Sequence, residues 1–410
     1  MNYLFGLKLD PPLKEVLYGT EYISPGSLNV VMNMNRPMHF SLFYPFSSIY
    51  YPELFLLHWY LLLDTEQISI ILLKDRKTAF RASMLFCFNP ASIFYSSIYT
   101  ESLYSLFSLG GIYHLLSGGN TIAVLLFALS GFTRSNGVLN AGYICFQAMH
   151  QACDAIFQKK RIGLAAMTLI DGALRSVCIF IPFIAFQAYG YHNICRGIIS
   201  DEMRPWCKAR VPFLGVGFLK YFQLKQLPNF LLASPILSLA LCSVAYYVKL
   251  RPEIVFSLGF RVSSTEKNLA AILSGVNGRL NNAQVSGKIS YEVLEENPNL
   301  RQRKKMRKEK TLRSCLDPVP SDGKVVPAKS DYASISVLPF VLHLAFMSAT
   351  AFFVMHVQVA TGFLSSSPPL YWFSSYLMAY RSRCAYFIWA YSAAYILLGS
   401  LLFSNFYPFT

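Results

Sequence analysis

Apolar runs, each interrupted by only a few polar residues, fill most of this chain. A membrane-spanning helix needs about 20 mostly apolar residues. The pattern predicts helices over roughly 40–63, 82–99, 102–117, 121–133 paired with 137–157, 163–189, 228–248, 334–359 and 385–407. Several are short or are broken by Pro, Gly or polar residues. Such irregular helices are tolerated at membrane depth only where they are buried in protein or line a cavity. The expected fold class is an all-α polytopic membrane protein.

Charge assigns sides to these helices. The basic clusters Lys74-Asp75-Arg76-Lys77, Lys159-Lys160-Arg161 and Arg301 to Arg313 fall between apolar runs, as cytoplasmic loops do. With residues 74–81 in the cytosol, helix 82–99 crosses, 102–117 returns, and the pair 121–133 and 137–157 goes out and back. Helix 163–189 then leads to a far-side loop, 190–226, and helix 228–248 returns to the cytosol. No basic cluster is left on the wrong side.

This organisation predicts an atypical N-terminal segment over 1–37 and a membrane helical domain over 38–249 that includes the loop 190–226. A basic cytosolic loop over 250–332 follows, then C-terminal membrane helices over 333–410 with a far-side segment at 361–383. The loop 250–332 is rich in Asn, Ser, Lys and Glu, a composition expected to be disordered. Its run RQRKKMRKEK (301–310) reads as a solvated face or as a contact with anionic lipid. Residues 1–37 carry Pro11, Pro12 and Pro25 and show no cleavable signal peptide.

Composition agrees with the membrane reading. The 410 residues are 54% hydrophobic and only 14% charged, with mean hydropathy +0.39, whereas soluble domains carry about 25% charged residues. The formal net charge of +15 is explained by loop topology and lipid headgroups, and no nucleic-acid partner is expected. Nine cysteines show no metal-ligand spacing, and no metal or cofactor is expected. Cys195 and Cys207 flank one far-side loop, where an oxidising lumen would allow them to pair.

Polar groups inside apolar runs are the candidate chemistry. Asp171 and Arg175, four apart on one helix, read first as a structural ion pair and second as a substrate contact. Asn89-Pro90 predicts a kink within a span. Glu101 has no partner at helical spacing; it reads either as a first-turn cap for the next helix or as a carboxylate facing a cavity. Arg134, at the Arg134-Ser135-Asn136-Gly137 break, reads either as a phosphate-binding guanidinium or as a basic residue snorkelling to an interface. Two aromatic polar stretches, Arg204 to Phe230 and SSSPPLYWF (365–373), would form a re-entrant or surface layer capping a cavity. No P-loop, GxSxG or HExxH motif is present.

Five ordered stretches carry a resemblance. FNPASIFYSSIYTESLYSLFSLGG (88–111), GFTRSNGVLNAGY (131–143), VGFLKYFQLKQLPNFLLASP (216–235), MHVQVATGFLSSSPPLYWF (355–373) and LLGSLLFSNFYPFT (397–410) resemble the GPI mannosyltransferase 2, or PIG-V, family over about residues 80–410. The resemblance implies a multi-pass endoplasmic-reticulum enzyme of the GT-C type, with luminal loops and a luminal active site. It implies transfer of mannose from dolichyl-phosphate mannose to a GPI-anchor precursor, as the second, α-1,6-linked mannose. A small accessory membrane subunit accompanies fungal relatives.

The implied inversion at the sugar carbon needs a carboxylate to take the acceptor's proton and positive charge to steady the departing phosphate. On this reading Arg134, Asn136, Lys220, Gln223, Lys225, Tyr371 and Trp372 bind substrate, with Arg134 or Lys220 on phosphate and Tyr371-Trp372 against lipid or sugar. Luminal-loop structure is the alternative for all of them. The catalytic base is unassigned, with Glu101 as the fallback. The chain departs from the family in three places. It has no Trp-Asp dipeptide, whose aspartate the resemblance makes the base, and Asp10 lies in other surroundings; the loop after Cys207 is shorter than the family's; and Gly362 stands where an arginine is expected. The reading expects an N-terminal region that is not the family's own, with a catalytically impaired relative or a lipid transporter as alternatives.

Overall fold

The computed structural model describes residues 52–96, 100–195, 217–263, 266–267, 272, 331–380 and 382–404; they are helical, with no strand among them. The expectations for residues 1–37, for the run 301–310 and for a Cys195–Cys207 pairing lie outside the described residues and side chains. Helix α1 is Pro52–Leu73, α2 Arg76–Cys87, α3 Ser92–Ser96, α4 Thr100–Leu116 and α5 Asn120–Thr133. A 3-10 turn, Ser135–Asn140, leads into α6, Ala141–Phe157, and α7, Ile162–Cys195. After Leu224–Gln226 come α8, Leu227–Leu250, and α9, Pro252–Phe256. The C-terminal part holds α10, Leu338–Phe353, α11, Ala360–Leu364, α12, Pro368–Tyr380, and α13, Ser382–Ser404.

Among the described residues, four stretches are long and apolar enough to cross a membrane: Ile162–Asn193, Leu224–Leu250, Ile335–Phe353 and Arg383–Leu402. Between lipid-embedded helices the hydrophobic effect supplies little attraction, so close packing through small residues matters most. Helices α4 and α5 form such a hairpin. A Cβ on Gly111 would lie 2.5 Å from the buried Phe127 ring. Helices α6 and α7 do the same, where a Cβ on Gly172 would lie 2.4 Å from the Ala148 methyl. Helix α7 also packs against α5, α8 against α10, and α12 against α2 and α13.

Several boundaries differ from the sequence expectation for identifiable reasons. Asn89-Pro90 does not kink a span over 82–99; it ends α2. Buried Asn89 accepts from the Ala91 amide at 2.7 Å and donates to the Phe86 carbonyl at 2.7 Å. The side chain thereby replaces helical backbone bonds, and only the five-residue α3 follows. Helix α7 continues through Cys195, so the loop expected from 190 begins later. The span expected over 334–359 stops at Phe353 and resumes as short turns.

The loop over 250–332, expected to be disordered, is ordered at both of its described ends. Ile254 is fully buried, and Arg251 pairs with Glu253 at 2.9 Å and Glu266 at 3.2 Å. His150 meets the Leu258 carbonyl at 3.0 Å and stacks on Phe260. Lys267 reaches Asp154 at 3.5 Å. At the other end, buried Tyr332 shares a 2.7 Å hydrogen bond with Ser243.

The far-side layer expected at 361–383 is likewise a packed helix. Pro368 through Ser375 of α12 are all buried. Trp372 donates from its indole nitrogen to Ser69 of α1 at 2.8 Å and meets Phe340 edge-on at 5.4 Å. Ser375 donates to the Thr78 carbonyl of α2 at 3.0 Å.

Candidate functional site

The polar residues of the first two family-like stretches converge at one end of the helices. Glu101 lies in the first turn of α4, and Arg134 sits in extended conformation between α5 and the 3-10 turn. Gly137 makes that turn possible. A Cβ there would lie 2.2 Å from the Ser130 carbonyl group. Asn140 then ties the turn down, donating to Ser108 of α4 at 2.9 Å and Ser130 of α5 at 3.0 Å. The consequence is a fixed path for residue 134 that turns its side chain inward.

There Arg134 donates through Nη1 to Oε1 of Glu101. The two side chains are 7% and 6% exposed, which removes the snorkelling reading and gives Glu101 the partner that helical spacing lacks. Oε2 of Glu101 is buried with no hydrogen-bond partner among the described residues, and so is Nδ2 of Asn136. Gly362 of α11 stands beside the pair: a Cβ there would be 3.7 Å from Oε1 and 3.8 Å from the Phe94 ring. Tyr95 of α3 meets Ser105 at 2.8 Å and Ser365 at 3.0 Å.

Tyr371 donates to the Ser365 carbonyl. It therefore borders this cluster but is buried, as is Trp372. Neither presents the open face expected for lipid or sugar; α12 packs both rings into the helix core.

Lys220, Gln223 and Lys225 lie apart, on an exposed segment. It is pinned to the end of α10 by bonds from the Gly217 amide to Val354 (3.3 Å) and from the Leu219 amide to Phe353 (2.7 Å). Phe218 and Leu224 are exposed beside the lysines at 73% and 92%. The chain from His356 to Gly362 joins this segment to the Glu101–Arg134 pair, so both lie at the same end. His356 meets Tyr221 edge-on at 4.7 Å.

Sequence reasoning missed the knot formed by Tyr221, Gln226 and Asn229. Tyr221 donates to Oε1 of Gln226 at 2.6 Å, and Asn229 donates to the same oxygen at 2.7 Å. The only signal was the polar density of KYFQLKQLPN. It also passed over Asp64 of α1, half-buried with Oδ2 3.5 Å from where a Gly110 Cβ would stand.

The fold and this buried polar end define a multi-pass helical membrane protein with a site at one end of its helices. Comparison with known proteins specifies it further: the Mannosyltransferase (PIG-V) family matches residues 27–410, and the chain belongs to that family. It is 28% identical over 335 residues to human GPI alpha-1,6-mannosyltransferase 2, covering 73% of this chain and 56% of the relative. The rat protein of the same name is 26% identical, over 78% of this chain and 60% of its own length. GPI mannosyltransferase 2 of Drosophila pseudoobscura pseudoobscura is 26% identical, over 82% and 68%. The chain thus spans less than two thirds of the mammalian relatives' length. No solved structure matches.

Proposed function

We propose that this protein transfers mannose from dolichyl-phosphate mannose to a GPI-anchor precursor, adding the α-1,6-linked second mannose, as an inverting GT-C-type enzyme of the endoplasmic-reticulum membrane. The observation that carries the reading is the family match over residues 27–410. The relatives' names supply the linkage and the acceptor class. In the reaction, an acceptor hydroxyl loses its proton to a carboxylate and attacks the mannose anomeric carbon. The carbon–oxygen bond to phosphate breaks, and dolichyl phosphate leaves with the bonding pair.

Lys220 and Lys225, exposed beside Phe218 and Leu224, suit a lipid-linked phosphate: cations for the anion and apolar groups for the chain. Arg134 and Glu101 serve as the charged framework beneath them, with Oε2 of Glu101 available to an acceptor donor. An accessory membrane subunit belongs to the same proposal.

Cells lacking the second GPI mannose provide the test. Expression of this chain is expected to restore GPI-anchored proteins at the cell surface, and the Lys220→Ala/Lys225→Ala double variant is expected to restore fewer. Normal amounts in the membrane with no restoration, either by this chain or by this chain carrying a relative's N-terminal region, would refute the enzymatic reading. That outcome would favour the second reading, a relative without catalysis, for which the missing Trp-Asp dipeptide speaks.

A further inference from the structure

Among the described residues, α7 is the least buried of the four helices long enough to cross a membrane, at 11%. Around most of its girth it shows what hydrocarbon requires: Met167, Ile170, Leu174, Val177 and Ile181 are all exposed. One flank breaks this rule. Asp171 accepts from Arg175 at 2.8 Å (Nη2) and 3.1 Å (Nε), yet the two side chains remain 56% and 32% exposed. Their pairing, expected from the spacing, leaves both groups open to the outside of the fold.

Depth makes that exposure costly. The basic run Lys159-Lys160-Arg161 precedes α7 and marks the polar boundary. Ten residues separate Arg161 from Asp171, about 15 Å at 1.5 Å per residue, or half of a hydrocarbon core about 30 Å thick. Ionisable groups at that depth face protein or a water-filled cavity, and the exposed side chains around these are apolar. The face formed by Gly172 and Ile179 is already used, against Ala148 of α6 and Gly131 of α5. Along the exposed flank, Leu164, Asp171, Cys178 and Ala185 recur every seven residues. C-terminal to the ion pair this line continues as the small, exposed side chains of Cys178 and Ala185, which allow a second helix to approach.

We propose that this flank docks a second copy of this chain, α7 against α7, within the bilayer. A two-fold interface sets one patch against itself and must be self-complementary. An Asp–Arg pair one turn apart meets that condition: Asp171 accepts from Arg175 of the partner subunit, and Arg175 donates to Asp171 of the partner subunit. Four charges then close a neutral ring, whereas an apolar partner helix would leave the outer faces of the pair unsatisfied.

The full chain in its own membranes, treated with a short thiol-to-thiol crosslinker, tests this through the native Cys178. A dimer-sized product is expected and should be absent in Cys178→Ser. Asp171→Arg or Arg175→Asp alone should lose most of the product. The double reversal, which restores self-complementarity, should regain it, and it also controls for folding of the single variants. A product formed equally in Cys178→Ser, a Cys178 adduct to a smaller protein, or single reversals that crosslink like the unaltered chain would each overturn the proposal.

Discussion

Replacing Arg134 by Met should destabilise the protein far more than replacing both Arg134 and Glu101 by apolar residues. The pair is buried on both sides, and Glu101 already holds one oxygen without a partner. Removing the guanidinium leaves a whole carboxylate unpaired, which costs about 3–5 kcal/mol in buried sites, whereas replacing both partners by apolar groups of similar volume is often nearly neutral. In a chain of 410 residues, at about 2.1 cal/mol/K per residue, about 3 kcal/mol lowers the midpoint by roughly 3–4 °C. Thermal unfolding in detergent, followed by fluorescence, should show that drop in Arg134→Met and in Glu101→Leu, with substantial recovery in the double variant. The cycle should return a coupling above about 2 kcal/mol. Additive single effects, with coupling under about 0.5 kcal/mol, would refute the view that this contact holds the α4–α5 end together.

Glycines in the same region separate close approach from chain flexibility. Gly137→Ala puts a methyl 2.2 Å from backbone atoms of Ser130 and should lower yield and melting temperature sharply. Gly142→Ala meets nothing within 4 Å and should be neutral or stabilising by about 0.5–1 kcal/mol; equal losses in the two variants would contradict the packing argument. At the start of α2, the Thr78 hydroxyl holds the Asp75 carboxyl below its ordinary value. Its stabilising contribution is therefore present at neutral pH and fades as pH falls through that lowered value, below 3.8. Asp75→Ala should cost about 0.5–2 kcal/mol and reduce hydrogen-exchange protection of the first turn of α2 at pH 7; unchanged protection would count against the cap. Trp372→Phe, which loses the 2.8 Å bond to Ser69, should cost about 0.5–1.5 kcal/mol in the same melting assay.

Hydropathy located the helices well where lipid decides the pattern. The runs at 163–189, 228–248 and 385–407 each correspond to one long helix. It failed where local hydrogen bonding or tertiary packing decides. Asn89 ends a helix through two side-chain bonds to its own backbone, a contribution invisible to an apolar average. SSSPPLYWF has the aromatic-polar composition of an interface belt, yet its serines bond within the fold and its indole reaches Ser69, so the stretch can be buried. Asp171 and Arg175 were legible as a pair because four residues bring them together on any helix. Glu101 and Arg134 were each legible as unusual, but not as partners, because the α4–α5 hairpin and the Gly137 turn have to fold before they meet.

That pairing changes the division of labour at the site. A guanidinium that grips phosphate with two parallel bonds must orient its Nη groups toward the ligand. Here Nη1 of Arg134 is committed to Glu101, and releasing it would leave a buried carboxylate without its cation. The penalty for that release, about 3–5 kcal/mol, is comparable to what a good charge-assisted contact returns. Capture of phosphate by Arg134 alone therefore gains little. On the proposed function, Lys220 and Lys225 are the alternative cations. They stand exposed at the same end, on a segment stiffened by Tyr221, Gln226 and Asn229 and fastened to α10, and each ammonium is a point charge that can follow a moving anion. Within that proposal, phosphate recognition falls to these lysines rather than to Arg134. The Glu101–Arg134 pair fixes the geometry where α4, α5 and α11 meet, which is why its loss should register first in stability.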